Sequence, residues 1–333
     1  MTPEVALAGV ILVSLTLYAV TGGADFGGGV WDLLARGPRA QEQRRAIAHA
    51  IGPIWEANHV WLILVVVLMF IGFPPAFVAM STALHIPFTI LLIGIVLRGS
   101  SFVFRKYDDQ DVATRTRWSR VFAVSSTASP VMLGVSVGAI VSGKLAIDPE
   151  TDRVVLDFFG SWLAPLPFAI GLFALALFAW LAAVYLTNET EGEVQEDFRR
   201  KALGAWFVAG VLAFVCLGLS LQGAPVVWAG LATQPWSLPF QLLVGLLAFG
   251  AGGAMWTRRY AVARWLAASH VATVVVGWGA AQYPYLIPPD LTVHNAAAPA
   301  DVLVPVLAVV GTGAVLLVPS YLYLFKVFKA EAD

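Results

Sequence analysis

Apolar runs about twenty residues long recur along the chain, at 3–34, 49–70, 76–104, 118–142, 158–187, 202–221, 238–256, 260–284 and 301–328, with short polar stretches between them. A helix rises about 1.5 Å per residue, so about twenty residues cross a hydrocarbon layer about 30 Å thick. The pattern predicts nine transmembrane helices, the longer ones tilted or extending past the bilayer. Basic residues fall mostly in alternate loops: Arg36, Arg39, Arg44 and Arg45, then Arg105, Lys106, Arg115 and Arg117, then Arg199, Arg200 and Lys201, then Arg258 and Arg259, then Lys326 and Lys329 at the end. Among the opposite loops only Lys144 and Arg153 are basic, outnumbered by Asp148, Glu150, Asp152 and Asp157. The positive-inside rule then expects an outside amino terminus and a cytoplasmic carboxyl terminus, which needs an odd number of spans.

Composition agrees with this hydropathy pattern. With 59% hydrophobic and only 12% charged residues, and a mean hydropathy of +0.79, the chain reads as an all-α integral membrane protein, with 1–333 forming one polytopic domain. The single cysteine, Cys216, lies in an apolar run and can close no disulfide within the chain. The start, MTPEVALAGVILVSL, lacks the positive region of a secretory signal and is expected to be an uncleaved span. No nucleotide-binding glycine pattern is present, and no nucleic-acid partner is expected. The glycines of GGADFGGG (22–29) suit either close helix approach or a local loosening of the first helix.

Ionisable residues inside the spans are the departures that carry chemistry, because a charge at mid-helix costs about 2.5 to 3.5 kcal/mol on insertion scales. His49, Gly52, Glu56, His59 and Ile63 follow steps of three and four and share one face of the second span. Gly22, Asp25, Gly29 and Asp32 do so in the first. Counting helical rise from the basic loop puts Asp25 roughly 13 Å deep, Glu56 roughly 11 Å and His59 about 16 Å. The two helices are expected to be antiparallel neighbours. Asp32 and His49 would lie near the inner surface, with Asp25, Glu56 and His59 leading inward as a proton relay. The plainer alternative is that these groups pack and hydrogen-bond helices without conducting anything.

Other polar residues are weaker pointers. Glu56 and His59 have the Glu-x-x-His spacing of di-iron bundles, but no second such motif accompanies them, so no metal is expected. His59, His85 and His270 fall near mid-membrane by count and are conceivable axial haem ligands. No pair at haem spacing is visible, and core histidines are the simpler reading. Arg98 is expected either to snorkel toward the surface or to pair with an acid of the first two spans. Most of the twelve tryptophans fall near predicted interfaces, as in aromatic belts.

IGPIWEANHVWLI (51–63) resembles the second-helix signature of subunit II of cytochrome bd-type quinol oxidases, close to I-x-P-x-W-[DE]-x-N-x-V-W-L. VTGGADFGGGV (20–30) resembles that family's first-helix pattern, T-D-G-F-D-x-G-x-G. Phe73-Pro74, Arg98 and YPYLIPP followed by Asn295 occur in the expected order, so the resemblance runs over the whole chain. It implies a nine-span subunit of two four-helix bundles plus a peripheral helix. It further implies pairing with a haem-bearing subunit I that carries haem b and haem d and oxidises quinol, in a bacterial cytoplasmic membrane, with oxygen as terminal substrate. A small single-span accessory subunit and a structural quinone occur in parts of the family. Asp25 matches the second acid of the first-helix pattern and Glu56 the acid after the tryptophan. Gly22 and Ala24 depart from the usual Asp and Phe, and His59 stands in place of a Gln. The rival readings are a stand-alone proton-coupled transporter, a haem-carrying redox protein and a purely structural partner subunit.

Overall fold

The computed structural model describes residues 2–51, 55–107, 112–145 and 158–330. Gly52 and Ile54, and the loop acids Asp148, Glu150, Asp152 and Asp157 with Arg153, lie outside these residues. Twelve helices and one small hairpin are described: α1 Pro3–Leu34, α2 Ala40–Ile51, α3 Trp55–Gly72, α4 Pro74–Ala83, α5 His85–Tyr107, α6 Val112–Val141, α7 Pro165–Leu186, α8 Gly192–Gly223, α9 Pro225–Ala232, α10 Ser237–Trp256, α11 Tyr260–Gln282, β1 Tyr285–Ile287, β2 Leu291–Thr292 and α12 Ala300–Ala330. Among the described residues, eight helices are long and apolar enough to cross a membrane. A ninth span is obtained if Glu56–Gly72 is counted together with Pro74–Ala83, bent from it by 118°. The chain is an all-α integral membrane protein.

The helices group as the resemblance implies. α1, α3, α5 and α6 form one set and α7, α8, α10 and α11 a second, and the two meet where α1 and α6 pack along α7. α12 touches α1 and α3 and is otherwise peripheral. α7 is the most enclosed span, with Ala176, Ala179, Ala182 and Ala183 buried beside Phe178, Trp180 and Leu181. Small residues bring the backbones close where hydrophobic transfer gives no drive for helix association. A Cβ at Gly27 would stand 1.9 Å from the Phe178 carbonyl oxygen, and one at Gly29 would stand 2.1 Å from the Ser126 Cβ. α1 runs unbroken through its glycines, so of the two alternatives they serve close approach rather than a loosened helix.

Three local expectations need correction. Residues 40–51 form an amphipathic helix of their own, AQEQRRAIAHAI, where a loop followed by the start of a span was expected. Its apolar positions are too few for hydropathy to mark it, yet Ile47 is fully buried. The third span does not begin at 76: α4 turns sharply away at Phe73-Pro74, as proline disfavours helical geometry in the residue before it, and the crossing helix starts at His85. The fifth begins at Pro165 rather than 158, proline occupying the first helical position.

The 283–299 loop also contains structure that hydropathy does not signal. β1 and β2 pair antiparallel. Asn295 holds the turn, its Oδ1 accepting from the Thr292 backbone N (2.7 Å) and hydroxyl (3.0 Å) while its Nδ2 donates to the Asp290 carbonyl (2.8 Å). The loop is tied to the first helical set by Ala298 N donating to the Gly72 carbonyl, 2.8 Å.

Candidate functional site: a buried acid on the first helix

Asp25 lies on the length of α1 that packs against α7, and it is almost wholly buried. Asn58 of α3 donates from Nδ2 to Asp25 Oδ2 at 2.6 Å. The Tyr321 hydroxyl of α12 donates in turn to Asn58 Oδ1 at 2.5 Å. One line of hydrogen bonds thus joins α1, α3 and α12. Among the described residues no donor reaches Asp25 Oδ1.

Arg98 completes the surroundings. Its side chain is buried, its guanidinium lying 4.9 Å from the Phe26 ring centroid and 5.6 Å from that of Phe122, an arrangement that favours a cation over aromatic faces. Among the described residues its Nε and one terminal nitrogen find no hydrogen-bond partner. Asp25 is the carboxylate whose charge it feels. Arg98 therefore does not snorkel: the rings of Phe26 and Phe122 hold it inside, facing the acid of the first span without touching it. A buried cation and a buried acid in this arrangement mark an intramembrane site.

The other predicted residues are placed differently. His59 is half-buried, its Nδ1 3.4 Å from the Tyr18 hydroxyl and its ring 5.8 Å and 5.9 Å from those of Tyr18 and Phe26. It thus borders the Asp25 site. Glu56 is exposed on this chain, against the expectation of a second buried acid. Asn58, two residues further on, is the side chain that turns toward α1, and two residues amount to about 200° around a helix. The supposed common face is also divided, since His49 belongs to α2, where it is exposed, and Ile63 is exposed on α3. Asp32 is buried, with Arg44 Nε 3.9 Å from its Oδ1.

His85 is not at mid-membrane. It begins α5, is exposed, and its Nδ1 lies 2.9 Å from the Thr82 carbonyl. The bend at Pro74 moves it to a helix end. His270 is buried with its ring edge-on to Trp180 at 5.3 Å, and among the described residues its Nδ1 finds no partner. The three histidines thus pack in different places, and among the described residues no three or more His, Cys, Asp and Glu gather as metal ligands.

Tyr321 and Tyr18 are site residues that the sequence does not single out. The signal at 321 is weak, since Tyr321 follows Ser320 and has Tyr323 two residues further on.

The architecture and motifs have counterparts among known proteins. A family model described as cytochrome bd terminal oxidase subunit II matches residues 3–328. The chain is 26% identical over 215 residues to the cytochrome bd-I ubiquinol oxidase subunit 2 of Escherichia coli (strain K12), covering 64% of this chain and 54% of that one. It is 30% identical over 180 residues to the cytochrome bd ubiquinol oxidase subunit 2 of Bacillus subtilis (strain 168), covering 53% and 51%. The matches thus span about half the length of these relatives. A putative cytochrome bd menaquinol oxidase subunit II of Bacillus subtilis matches at 20% identity over 331 residues, covering 95% and 92%. The structure of the bd oxidase from Geobacillus thermodenitrificans contains a chain of the same fold, with a TM-score of 0.81 at 20% identity, over 98% of this chain and 99% of that chain. A helix order shared from end to end and a family match from residue 3 to 328 lead to one assignment: the chain belongs to the subunit II family of the cytochrome bd terminal oxidases.

Proposed function

We propose that this chain is the non-haem subunit of a bd-type quinol oxidase, relaying protons through Asp25, with Glu56 and His59 assisting, toward an oxygen-reducing partner. In this reading the chain forms one polytopic unit in a bacterial cytoplasmic membrane, amino terminus outside and carboxyl terminus inside. Subunit I binds haem b and haem d, oxidises quinol and reduces oxygen. A single-span accessory subunit and a structural quinone fit the same assembly. The names of the relatives support the reaction class.

The observation that carries the relay is Asp25 itself, a buried carboxyl group inside a membrane helix with one oxygen fixed by Asn58. The unmet donors of Arg98 call for an acceptor beside the acid, and water meets such groups in buried polar sites. Water next to a titratable carboxyl is the medium a proton path needs. Asn58 holds the acid in place, and Arg98 supplies a buried cation near it. His59, against Tyr18 and Phe26, lines the same space. Glu56, exposed here, acts as an entry group where the partner covers α3.

The hydrogen-bond line from Asp25 to Tyr321 equally suits a clamp between three helices, which favours the structural reading. Quinol-dependent oxygen consumption by the co-expressed complex separates the two, comparing Asp25→Asn and Glu56→Gln while the haem spectrum reports assembly. A relay loses activity with haems intact. A clamp keeps its activity, or loses haems and activity together.

A further inference from the structure

At the basic end of α1, Leu34, Arg36, Pro38, Arg39, Gln43, Asp197, Arg200 and Lys201 line a cleft of about 590 Å³ including its open mouth. Four of these residues are cations and one is an acid. Asp197 is already engaged: Arg39 donates to it from Nε and a terminal nitrogen, both at 2.8 Å, and Gln43 donates at 2.8 Å. Arg39 also reaches Glu193 at 2.5 Å, and the hydrogen bonds it donates to Asp197 push its pKa up. Arg200 leans on Glu196 at 3.4 Å with most of its side chain exposed. Arg36 makes no ion pair among the described residues. Lys201 spends one donor on Gln43 Oε1 (2.7 Å) and lies over the Trp31 and Phe198 rings, 5.4 Å and 5.0 Å from their centroids, which leaves two ammonium donors.

An apolar track runs along α8 from the Arg200 that lines the cleft. From Arg200, helical steps along α8 pass Gly204, Phe207, Val211, Phe214 and Leu221, all exposed, Phe207 at 66% and Phe214 at 77%. Leu33 and Leu34 are exposed beside the cleft at the end of α1. A ligand suited to both parts has an anionic head and a hydrocarbon tail. Arginine matches phosphate geometry and lysine supplies a point charge, and basic pockets between membrane helices bind anionic head groups.

We infer that this cleft is a binding site for the phosphate of an anionic phospholipid, held by Arg36, Arg200 and Lys201, with its acyl chain along the exposed side of α8. The site is separate from the proton path and does not depend on it. The test uses the purified, delipidated oxidase complex, titrated with phosphatidylglycerol or phosphatidylcholine and read by native mass spectrometry. Phosphatidylglycerol is expected to be retained preferentially. Arg36→Gln with Arg200→Gln is expected to weaken that retention about thirtyfold, at about fivefold per surface charge. Arg45→Gln, which alters an exposed cation outside the cleft, should leave it unchanged. Equal retention of the two lipids by the unaltered complex overturns the inference even if the double variant fails to assemble. So does an equal loss in Arg45→Gln, which would mean diffuse attraction. Displacement of the lipid by millimolar inorganic phosphate would assign the cleft to a free anion and overturn it as well.

Discussion

Asp25 and Glu56 are acids on neighbouring helices, matched by one motif apiece, and the molecule treats them in opposite ways. Asp25 is enclosed by its own chain, with Asn58 bonded to it and Arg98 facing it. Glu56 opens the first turn of α3 on an exposed surface. The first acid has its properties set within this subunit. The second depends on whatever covers that surface, so substitutions at the two positions should differ in kind as well as in size.

The seam that encloses Asp25 is the place to break the contrast most severely. Gly27→Val would drive a side chain into the Phe178 backbone, which a close-packed interior cannot absorb. Loss of folded complex is expected, read as absence of the haem spectrum in membranes, whereas Ala57→Val, beside Glu56, should leave that spectrum in place. Arg98→Met removes a buried cation held over two aromatic rings near Asp25 and is expected to destabilise by about 1 to 2 kcal/mol. Adding Asp25→Asn should recover part of that loss, because the uncompensated acid is then gone; thermal unfolding of the complex checks both. If the second substitution recovers nothing, the two charges are not coupled.

For turnover, Asp25→Asn is expected to lower oxygen consumption about a hundredfold, within the range of positioned proton-transfer groups, at unchanged haem content. Glu56→Gln should cost less, because an exposed entry group can be bypassed by water. Equal losses would erase the distinction and place both acids on one obligatory path. The smallest effect is expected from Tyr321→Phe, which removes a single hydrogen bond to Asn58. About 1 kcal/mol of stability should be lost, measured as a shift in unfolding temperature.

Much of the scaffold is legible in the sequence because the bilayer imposes a length on each apolar run. The failures have local physical causes. α2 is amphipathic and short, so it resembles a loop when only hydropathy is counted. α4 is apolar enough to join a span, and only the backbone restriction at Phe73-Pro74 separates it. The site was half legible: Asp25 is buried as its depth and face implied, while the orientation of Glu56 was lost. Helical spacing fixes angles between residues of one helix and leaves its rotation against neighbours open. The pairing of Asn58 with Asp25 sets that rotation here, and it turns Glu56 outward. Tyr321 lay beyond reach for another reason, since its partner is 263 residues away and no local pattern links them.

That separation bears on how the protein is made. Asp25 and Asn58 leave the ribosome early and can meet as soon as α1 and α3 are inserted. The hydroxyl that completes their line arrives only with α12, after every other described helix has been synthesised. Until then the Asn58 carbonyl lacks its donor in a medium that offers few substitutes. Docking of α12 thus closes last a line of hydrogen bonds whose first members are already in place.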